Sequence, residues 1–181
     1  MKFIHSLLLT GLILLLAGCS SVTVNSDYDP AVDFSKYKTF KLHDGESMPG
    51  DALARNPLIQ KRVYQSIEKE LQAKGFTVAE SGDPDFIVVA HGGTKEKTQV
   101  TDWGGYGWYN PWWGPYGGRV DVSQYQEGTL VIDIVDFAEK EMVWRGLGTA
   151  VLGDNPSPEK IQKTVDQYVS QILAKFPPQK M

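Results

Sequence analysis

GTLVIDIVD, residues 128–136, is the stretch that most clearly sets the fold of this 181-residue chain. Apolar residues recur there at every second position, which is the period of a half-buried β-strand. One side of the strand would carry Leu130, Ile132 and Ile134, and the other side Val131, Asp133 and Val135. The alternation predicts a strand from Gln126 to Val135.

A partner strand follows at residues 142–152, after the short connection from Asp136 to Lys140. Two alternating segments joined by a few residues predict a β-hairpin. In this hairpin we expect Trp144 to pack against a helix layer. We expect Arg145 to face the other way, where it can pair with Asp133 across the two strands.

Further strands are predicted upstream of the hairpin. Residues 86–90, FIVVA, form a continuous apolar run, which favours a central strand buried on both faces. The polar residues 95–101 can extend that strand. Residues 38–42 alternate polar and apolar side chains, and residues 76–78 indicate a short strand.

Two amphipathic helices complete the pattern. The first is predicted by three residues at its ends: Asn56 as its cap, Pro57 at its first position and Gly75 where it stops. The second runs from about Pro158 to Phe176, with Ser157 as its cap and two prolines after it. The apolar stripe of the first helix comprises Ile59, Val63, Ile67 and Leu71, and that of the second Ile161, Val165, Val169 and Ile172.

The order of these elements predicts an α+β domain. We expect two layers, with a mostly antiparallel sheet and both helices packed on one of its faces. The antiparallel expectation rests on the later strands, which follow one another directly. The predicted domain spans residues 29–178, with a Gly/aromatic-rich insertion at about residues 92–127.

The N-terminal residues have the pattern of a secretory signal peptide. Lys2 precedes an apolar stretch that is too short for a comfortable membrane span. The sequence Leu16-Ala17-Gly18-Cys19 resembles the bacterial lipobox, which implies cleavage after residue 18 and attachment of acyl chains to Cys19. Residues 19–28 would then form the lipidated N-terminus and a short tether, within which residues 22–24 suit an edge strand. Ser20 in place of Asp resembles the enterobacterial signal for the outer membrane, so we expect an anchor there, facing the periplasm.

Composition limits the partners of the mature chain. Removal of residues 1–18 leaves 163 residues, and because Lys2 is the only charge removed, the net charge moves from −4 to −5. The sequence contains no stripe of basic residues, so it gives no sign of nucleic-acid binding. Cys19 is the only cysteine, so once lipidated it leaves no thiol for a disulfide, a metal or catalysis.

WGGYGWYNPWWGPYGG, residues 103–118, contains seven aromatic residues among six glycines and two prolines. Such a sequence fits no regular helix or strand. Fully exposed, its rings would exceed the apolar patch that a monomer tolerates. It can fold back on the domain, remain mobile, or bind an envelope protein, a glycan or lipid headgroups. The candidate partner-binding residues are Trp103, Tyr106, Trp108, Tyr109, Trp112, Trp113 and Tyr116.

A family resemblance covers nearly the whole mature chain. The sequence is similar to lipoproteins of the domain-of-unknown-function family 4136. The motifs that carry the resemblance are Asp27-Tyr28-Asp29-Pro30, Asp33-Phe34-Ser35, Tyr37-Lys38-Thr39-Phe40, Asp83-Pro84-Asp85, Gly128 to Asp133, Val143-Trp144-Arg145-Gly146 and Lys175-Phe176-Pro177-Pro178. The hairpin turn departs from the family, because residues 137–139 replace a glycine-bearing turn. The resemblance implies an envelope lipoprotein and supplies no catalytic residue or cofactor.

The sequence offers no catalytic constellation. His43 and His91 lack companions at metal-ligand spacing, so we expect neither a metal nor a cofactor. The run Gly104-Gly105-Tyr106-Gly107 lacks the strand–loop–helix setting of a phosphate site. We expect Asp133 on a strand and Asp136 at the entrance to a turn, with both side chains facing solvent. The sequence therefore favours a non-enzymatic binding or structural module, and the alternative is a hydrolase-like envelope enzyme with an unrecognised site.

Overall fold

The computed structural model describes residues 22–43, 51–102, 120–152 and 156–179. It contains two α-helices, one short 3₁₀ turn and six strands. The helices are α1 (Pro57–Ala73) and α2 (Pro158–Leu173), and the 3₁₀ turn spans Phe34–Lys36. The strands are β1 (Thr23–Tyr28), β2 (Thr39–Leu42), β3 (Thr77–Val78), β4 (Phe86–Asp102), β5 (Val120–Asp136) and β6 (Met142–Leu152).

The strands form one mixed sheet in the order β1-β6-β5-β4-β2-β3, so the α+β class is confirmed. The mostly antiparallel arrangement that we expected is wrong. β2 runs parallel to both β3 and β4. The later strands do pair antiparallel as consecutive neighbours. The earlier strands cannot, because α1 carries the chain from β2 to β3 and a helical crossover returns the next strand in the same direction.

The helix signals in the sequence are confirmed. The Asn56 side chain accepts a hydrogen bond from the Ile59 amide at 3.3 Å, and Gly75 ends α1 at a φ of 92°. Ser157 caps α2 through the Lys160 amide, also at 3.3 Å. The second helix ends at Leu173, before the prolines that follow it.

The apolar stripes of both helices belong to one core together with the sheet. In α1, Val63, Ile67 and Leu71 are buried and Ile59 is partly buried; in α2, Val165, Val169 and Ile172 are buried and Ile161 is partly buried. Trp144 is 1% exposed, as expected for its packing position. The two helices also contact each other.

Phe86 lies at the centre of an aromatic cluster where β4 begins. Its ring centroid lies 5.4–5.8 Å from those of four other rings: Tyr37, Phe40, Phe76 and Phe176. Residues 87 and 89 are half-buried on the opposite side of the strand, so the expectation of a strand buried on both faces is only partly met.

β4 and β5 are much longer than predicted. Their pairing continues from Phe86↔Asp136 to Asp102↔Val120, so the described residues of the expected insertion at 92–127, which are 92–102 and 120–127, lie in strands. β6 pairs with β5 only as far as Gln126↔Leu152. Beyond that point, within the described strands, residues 97–102 pair only with residues 120–125. We call this two-stranded extension the arm.

The sheet also begins earlier than the predicted domain boundary at residue 29. Thr23–Tyr28 forms β1, an edge strand paired with β6, so most of the segment assigned to a tether lies in the sheet. The alternation of apolar and polar residues at positions 22–24 predicts this edge strand in part. Val22 packs against the core as well.

The described helices include none that is both long and apolar enough to cross a membrane.

Candidate functional site

A row of charged side chains crosses the sheet on the face opposite Phe86 and Ile132. The strand registers align Val89, Asp133, Arg145 and Asp27 on β4, β5, β6 and β1. Successive side chains of a strand point to opposite faces, so this row lies on the side away from the aromatic cluster. Around it lie the half-buried residues Ile87, Val131, Val135 and Leu147.

Asp133 and Arg145 form the central pair of this row. Arg145 donates two hydrogen bonds to the carboxylate, from Nε to Oδ1 and from Nη2 to Oδ2, each 2.7 Å long. The Asp133 residue is only 4% exposed, and this two-pronged contact with the guanidinium offsets the cost of burying the carboxyl group. The hydrogen bonds that Arg145 donates to Asp133 raise the pKa of Arg145 above its usual value. The pairing expected from the sequence is confirmed.

His91 links this pair to a loop. Its Nε2 lies 3.6 Å from Asp133 Oδ2, and its Nδ1 lies 3.6 Å from Asp51 Oδ2. The other oxygen of Asp51 accepts hydrogen bonds from the amides of Leu53 and Gly92, both at 2.8 Å. Asp51 therefore fastens the segment before α1 to β4 at Gly92, beyond the residues where β2 pairs with β4.

Gly92 is required at this junction by its close approach to the loop. A Cβ on residue 92 would lie 2.8 Å from Cβ of Leu53 and 2.9 Å from its amide nitrogen. The loop and strand also join through a backbone hydrogen bond from Ala52 to Gly92 at 2.8 Å. Any side chain at this position would force the two segments apart.

The geometry of this cluster differs from that of a metal site and from that of a catalytic triad. The two carboxylates face opposite nitrogens of His91, so the three groups do not converge on one point where an ion could bind. Across the described ranges, no group of three or more metal-ligating side chains is found. Because both imidazole nitrogens face carboxylates, neither is aimed at a hydroxyl as the base of a catalytic triad would be. The arrangement suits a charged network that fixes the loop on the sheet.

Two further carboxylates close the opposite end of the sheet from the arm. Asp85 accepts hydrogen bonds from the amides of Lys38 and Thr39, at 2.8 and 2.7 Å. Burial raises the pKa of Asp85, but the hydrogen bonds from Thr39 and Lys38 outweigh it, and the pKa lies below its usual value. Asp85 therefore ties β2 to the start of β4 as a carboxylate.

Asp136 ties the turn between β5 and β6 to Tyr37 through hydrogen bonds. Its side chain accepts from the amides of Ala138 and Glu139 and from the Tyr37 hydroxyl, the last at 2.8 Å. Burial raises its pKa, but these hydrogen bonds lower it more. Burial, with the contact to Asp136, raises the pKa of Tyr37. In this turn Lys140 has a φ of 61°, the left-handed conformation that usually favours glycine.

The remaining predicted site residues fall outside the described ranges. Cys19 precedes Val22, and the seven aromatic candidates lie between Asp102 and Val120. The strand register nevertheless shows where that aromatic segment joins the fold, because Asp102 and Val120 are paired neighbours at the end of the arm. His43, at the end of β2, donates its amide to the Val88 carbonyl at 2.8 Å.

Sequence reasoning missed Asp51 and Asp85 as partners. Asp51 is 40 residues before His91 in the numbering of the chain, and no local pattern relates the two. Asp85 was visible only as part of a turn-like Asp83-Pro84-Asp85 run. Their roles depend on strands brought together by the crossover, which no periodicity within one segment reports.

The described fold is a small α+β module in which the charged groups serve structural contacts. The chain belongs to the family described as "Domain of unknown function (DUF4136)", whose sequence profile matches residues 24–178. No curated protein matches the sequence.

Solved structures share the fold at low identity. A PDZ domain protein from Parabacteroides distasonis is 14% identical, with a TM-score of 0.57 over 89% of this chain and 37% of that one. The PelC dodecamer from Paraburkholderia phytofirmans is 12% identical, with a TM-score of 0.50 over 88% of this chain and 100% of that one. This chain thus spans little more than a third of the first structure. At these identities the likeness concerns the fold alone.

Proposed function

We propose that this protein is a non-enzymatic binding module of the bacterial envelope, anchored through lipids on Cys19. The aromatic segment at residues 103–118 is its partner-binding element. The domain has two layers in this proposal, with both helices on the Phe86 face of the sheet. The anchor holds the domain at the outer membrane, on its periplasmic side.

The observation that carries the proposal is the position of the arm. The arm extends past the last residue pair of β6, and residues 103–119 join its two paired ends. Six residue steps at about 3.4 Å each make it on the order of 20 Å long. A two-stranded ribbon is only marginally stable on its own, so such an extension adds little to the stability of the domain. It is well suited to carrying a segment away from the body of the domain.

The composition of the segment supports the same proposal. Tyrosine and tryptophan present large rigid surfaces with one polar group each, which is why they are enriched where proteins meet partners. Seven such residues within 16 positions are difficult to reconcile with a purely connecting role. If all seven rings were exposed, their apolar area would exceed what a monomer normally tolerates without a partner.

The geometry gives less support to a hydrolase-like enzyme. His91 lies 3.6 Å from a carboxylate oxygen at each of its two ring nitrogens. The carboxylates with altered pKa values, Asp85 and Asp136, have theirs lowered by hydrogen bonds from the fold itself. Neither is an acid poised to donate a proton near neutral pH.

The anchor is tested by Cys19→Ala. The thiol is the only acceptor for the diacylglycerol group, so the variant should remain an uncleaved or mislocalised precursor. Labelled palmitate and membrane fractionation provide the measurement. Normal cleavage and labelling of the variant would show that the protein is not anchored in this way.

The binding element is tested by replacing residues 103–118 with a short Gly-Ser linker. Crosslinking in intact envelopes, followed by pull-down of the lipidated protein, should recover a partner with the wild type and lose it with the variant. Unchanged crosslinks would show that another surface recruits the partner.

A further inference from the structure

The two helices carry positive charge in a chain that is otherwise acidic. Residues 55–75 and 157–175 contain eight basic and four acidic residues, a net charge of +4. The whole chain has a net charge of −4, so the remaining residues carry −8. Because the basic residues are divided between two helices far apart in the sequence, no single segment shows this concentration of charge.

α1 and α2 lie side by side and run in the same direction. Arg62, in the second turn of α1, interacts electrostatically with Glu159, in the first turn of α2. Beyond the other ends of the two helices, the ring centroids of Phe76 and Phe176 are 5.6 Å apart. Both helices bury their apolar stripes in the same core, so their opposite sides form one continuous surface.

Lysines dominate the exposed positions of this surface. Six of them are exposed on the helices or directly after them: Lys61, Lys69, Lys74, Lys160, Lys163 and Lys175. We call these six residues the basic face. In the part of the chain that the structure describes, none of them forms an ion pair. Two of the four helix acids have local partners instead, since Glu68 accepts a hydrogen bond from Gln72, and Asp166 accepts one from Gln162.

An exposed leucine adjoins the basic face. Leu58 has the most exposed large apolar side chain in the described ranges, and it lies one helical turn before Lys61 and Arg62. A solvated helix surface needs only its charges. An apolar side chain beside several cations is instead typical of helices that rest on lipid headgroups, where cations meet phosphates and the apolar group reaches the acyl boundary.

We propose that the basic face docks on a bilayer containing anionic phospholipids, with its lysines among the lipid phosphates and Leu58 at the acyl boundary. The lysine ammonium is a compact point charge that can meet a phosphate in many orientations, and a lipid surface presents phosphates without a fixed geometry. The acidic remainder of the molecule is repelled by the same surface, so the attraction also orients the domain. The choice of a bilayer as the occupant rests on the membrane anchor proposed above, which would keep the domain beside one.

Vesicle sedimentation of the mature chain tests this docking without the anchor. Cys19→Ser removes the acceptor for the lipid, so any binding comes from the protein itself. This chain should bind vesicles of phosphatidylethanolamine and phosphatidylglycerol, and salt at about 0.5 M should release it. Vesicles in which phosphatidylcholine replaces phosphatidylglycerol should bind it at least about tenfold more weakly.

Two double variants with the same change in net charge locate the binding surface. K61Q/K163Q removes one lysine from each helix and should weaken binding by about tenfold or more, because each cation near an anionic membrane adds about fivefold. K36Q/K95Q removes two exposed lysines outside the helices and should change binding by less than about twofold. Glutamine has nearly the helix propensity of lysine, and urea denaturation checks that both variants are folded.

The apolar contact has its own variant. Leu58→Ala should weaken vesicle binding by about threefold or more while leaving its dependence on salt unchanged, because it removes apolar area and no charge. Unchanged binding would overturn the placement of Leu58 at the acyl boundary.

The remaining outcomes separate this inference from the proposed function. Equal weakening by the two double variants would trace the binding to net charge and overturn the basic face as a docking surface. Binding to purified peptidoglycan sacculi but not to vesicles would overturn the bilayer as its occupant and name an anionic glycopeptide instead. Because these experiments use a chain without lipid, their failure would leave the palmitate labelling of the wild type and the crosslinks of the aromatic segment unaffected.

Discussion

The two ends of the sheet are built in different ways. The end at which β4 begins, which we call the closed end, combines the four aromatic rings around Phe86 with the two hydrogen-bonded carboxylates Asp85 and Asp136. At the other end the arm continues as two strands, with no further described strand beside it. The closed end is held by interactions that connect distant parts of the chain, whereas the described pairing of the arm is between its own two strands.

If the proposed function is correct, this difference separates the region that stabilises the fold from the region that recruits a partner. Residues of the closed end account for several of the family motifs, including Tyr37-Lys38-Thr39-Phe40 and Asp83-Pro84-Asp85. The structure gives each a role in folding. The arm carries the aromatic segment, which joins its two strands between Asp102 and Val120. A family defined over both regions therefore describes a shared scaffold more directly than a shared activity.

The largest effect is expected from Ile67→Ala in the core. Ile67 is 0% exposed, and its truncation should lower the free energy of unfolding by roughly 2–5 kcal/mol through lost burial and the cavity left behind. Urea denaturation measures the loss. Leu58→Ala on the same helix is the control, because Leu58 is 71% exposed and should cost less than about 0.5 kcal/mol. Similar losses for the two variants would mean that the buried face of α1 is misassigned.

A smaller loss is expected from Gly146→Ala. The added Cβ would lie 2.3 Å from Cη2 of Trp144 and 2.5 Å from Cγ2 of Ile172, so the indole or α2 must move, at a cost of about 1–3 kcal/mol. Gly93→Ala is the matched control, since its Cβ would meet only Thr129, at 3.9 Å. Equal stability of the two variants would contradict close packing of Trp144 over β6.

Asp85→Asn should weaken the closed end by about 1 kcal/mol near neutral pH, as expected for replacing hydrogen bonds to a charged acceptor. Because the pKa of Asp85 is lowered in the folded state, its carboxylate contributes stability above its unfolded pKa of about 4 and loses it as the pH falls through the folded value. The wild type should therefore lose stability more steeply in acid than the variant does. Parallel pH profiles would show that Asp85 does not contribute as a carboxylate.

The smallest effect on stability is expected from replacing residues 103–118 with the Gly-Ser linker. If the segment lies outside the cooperative core, the free energy should change by less than about 0.5 kcal/mol and the melting temperature by about 2 °C at most. Calorimetry of the unlipidated domain is the measurement. A collapse of the melting temperature would make the segment part of the structure.

Local patterns predicted the elements well and their assembly less well. The caps at Asn56 and Ser157, the stripe through Ile67 and the Asp133–Arg145 pair all depend on residues close in sequence or on a simple hairpin. The parallel pairing of β2 with β4 depends on a crossover through α1, and a strand of four residues carries no mark of its neighbours. The contact between Asp51 and His91 depends in turn on that assembly.

The length of the β4–β5 hairpin was harder to predict for another reason. Residues 97–102 and 120–125 are largely polar, and their sequence shows no sustained alternation of apolar residues along both strands. Their extended state depends on pairing with each other, and the aromatic composition between them suggested an insertion instead. The candidate binding residues could be named from composition, but their place at the end of the arm could come only from the strand register.

Hydrogen exchange along β4 tests the central claim, that the arm is a separate element attached to a cooperative core. In the unlipidated domain, amides of residues 86–92 should exchange only with global unfolding, whereas those of residues 97–102 should exchange at least about 100-fold faster through local opening. This result would establish the division between the two ends within a single strand. Equal protection along the whole strand would contradict it and would make the arm part of the folded core.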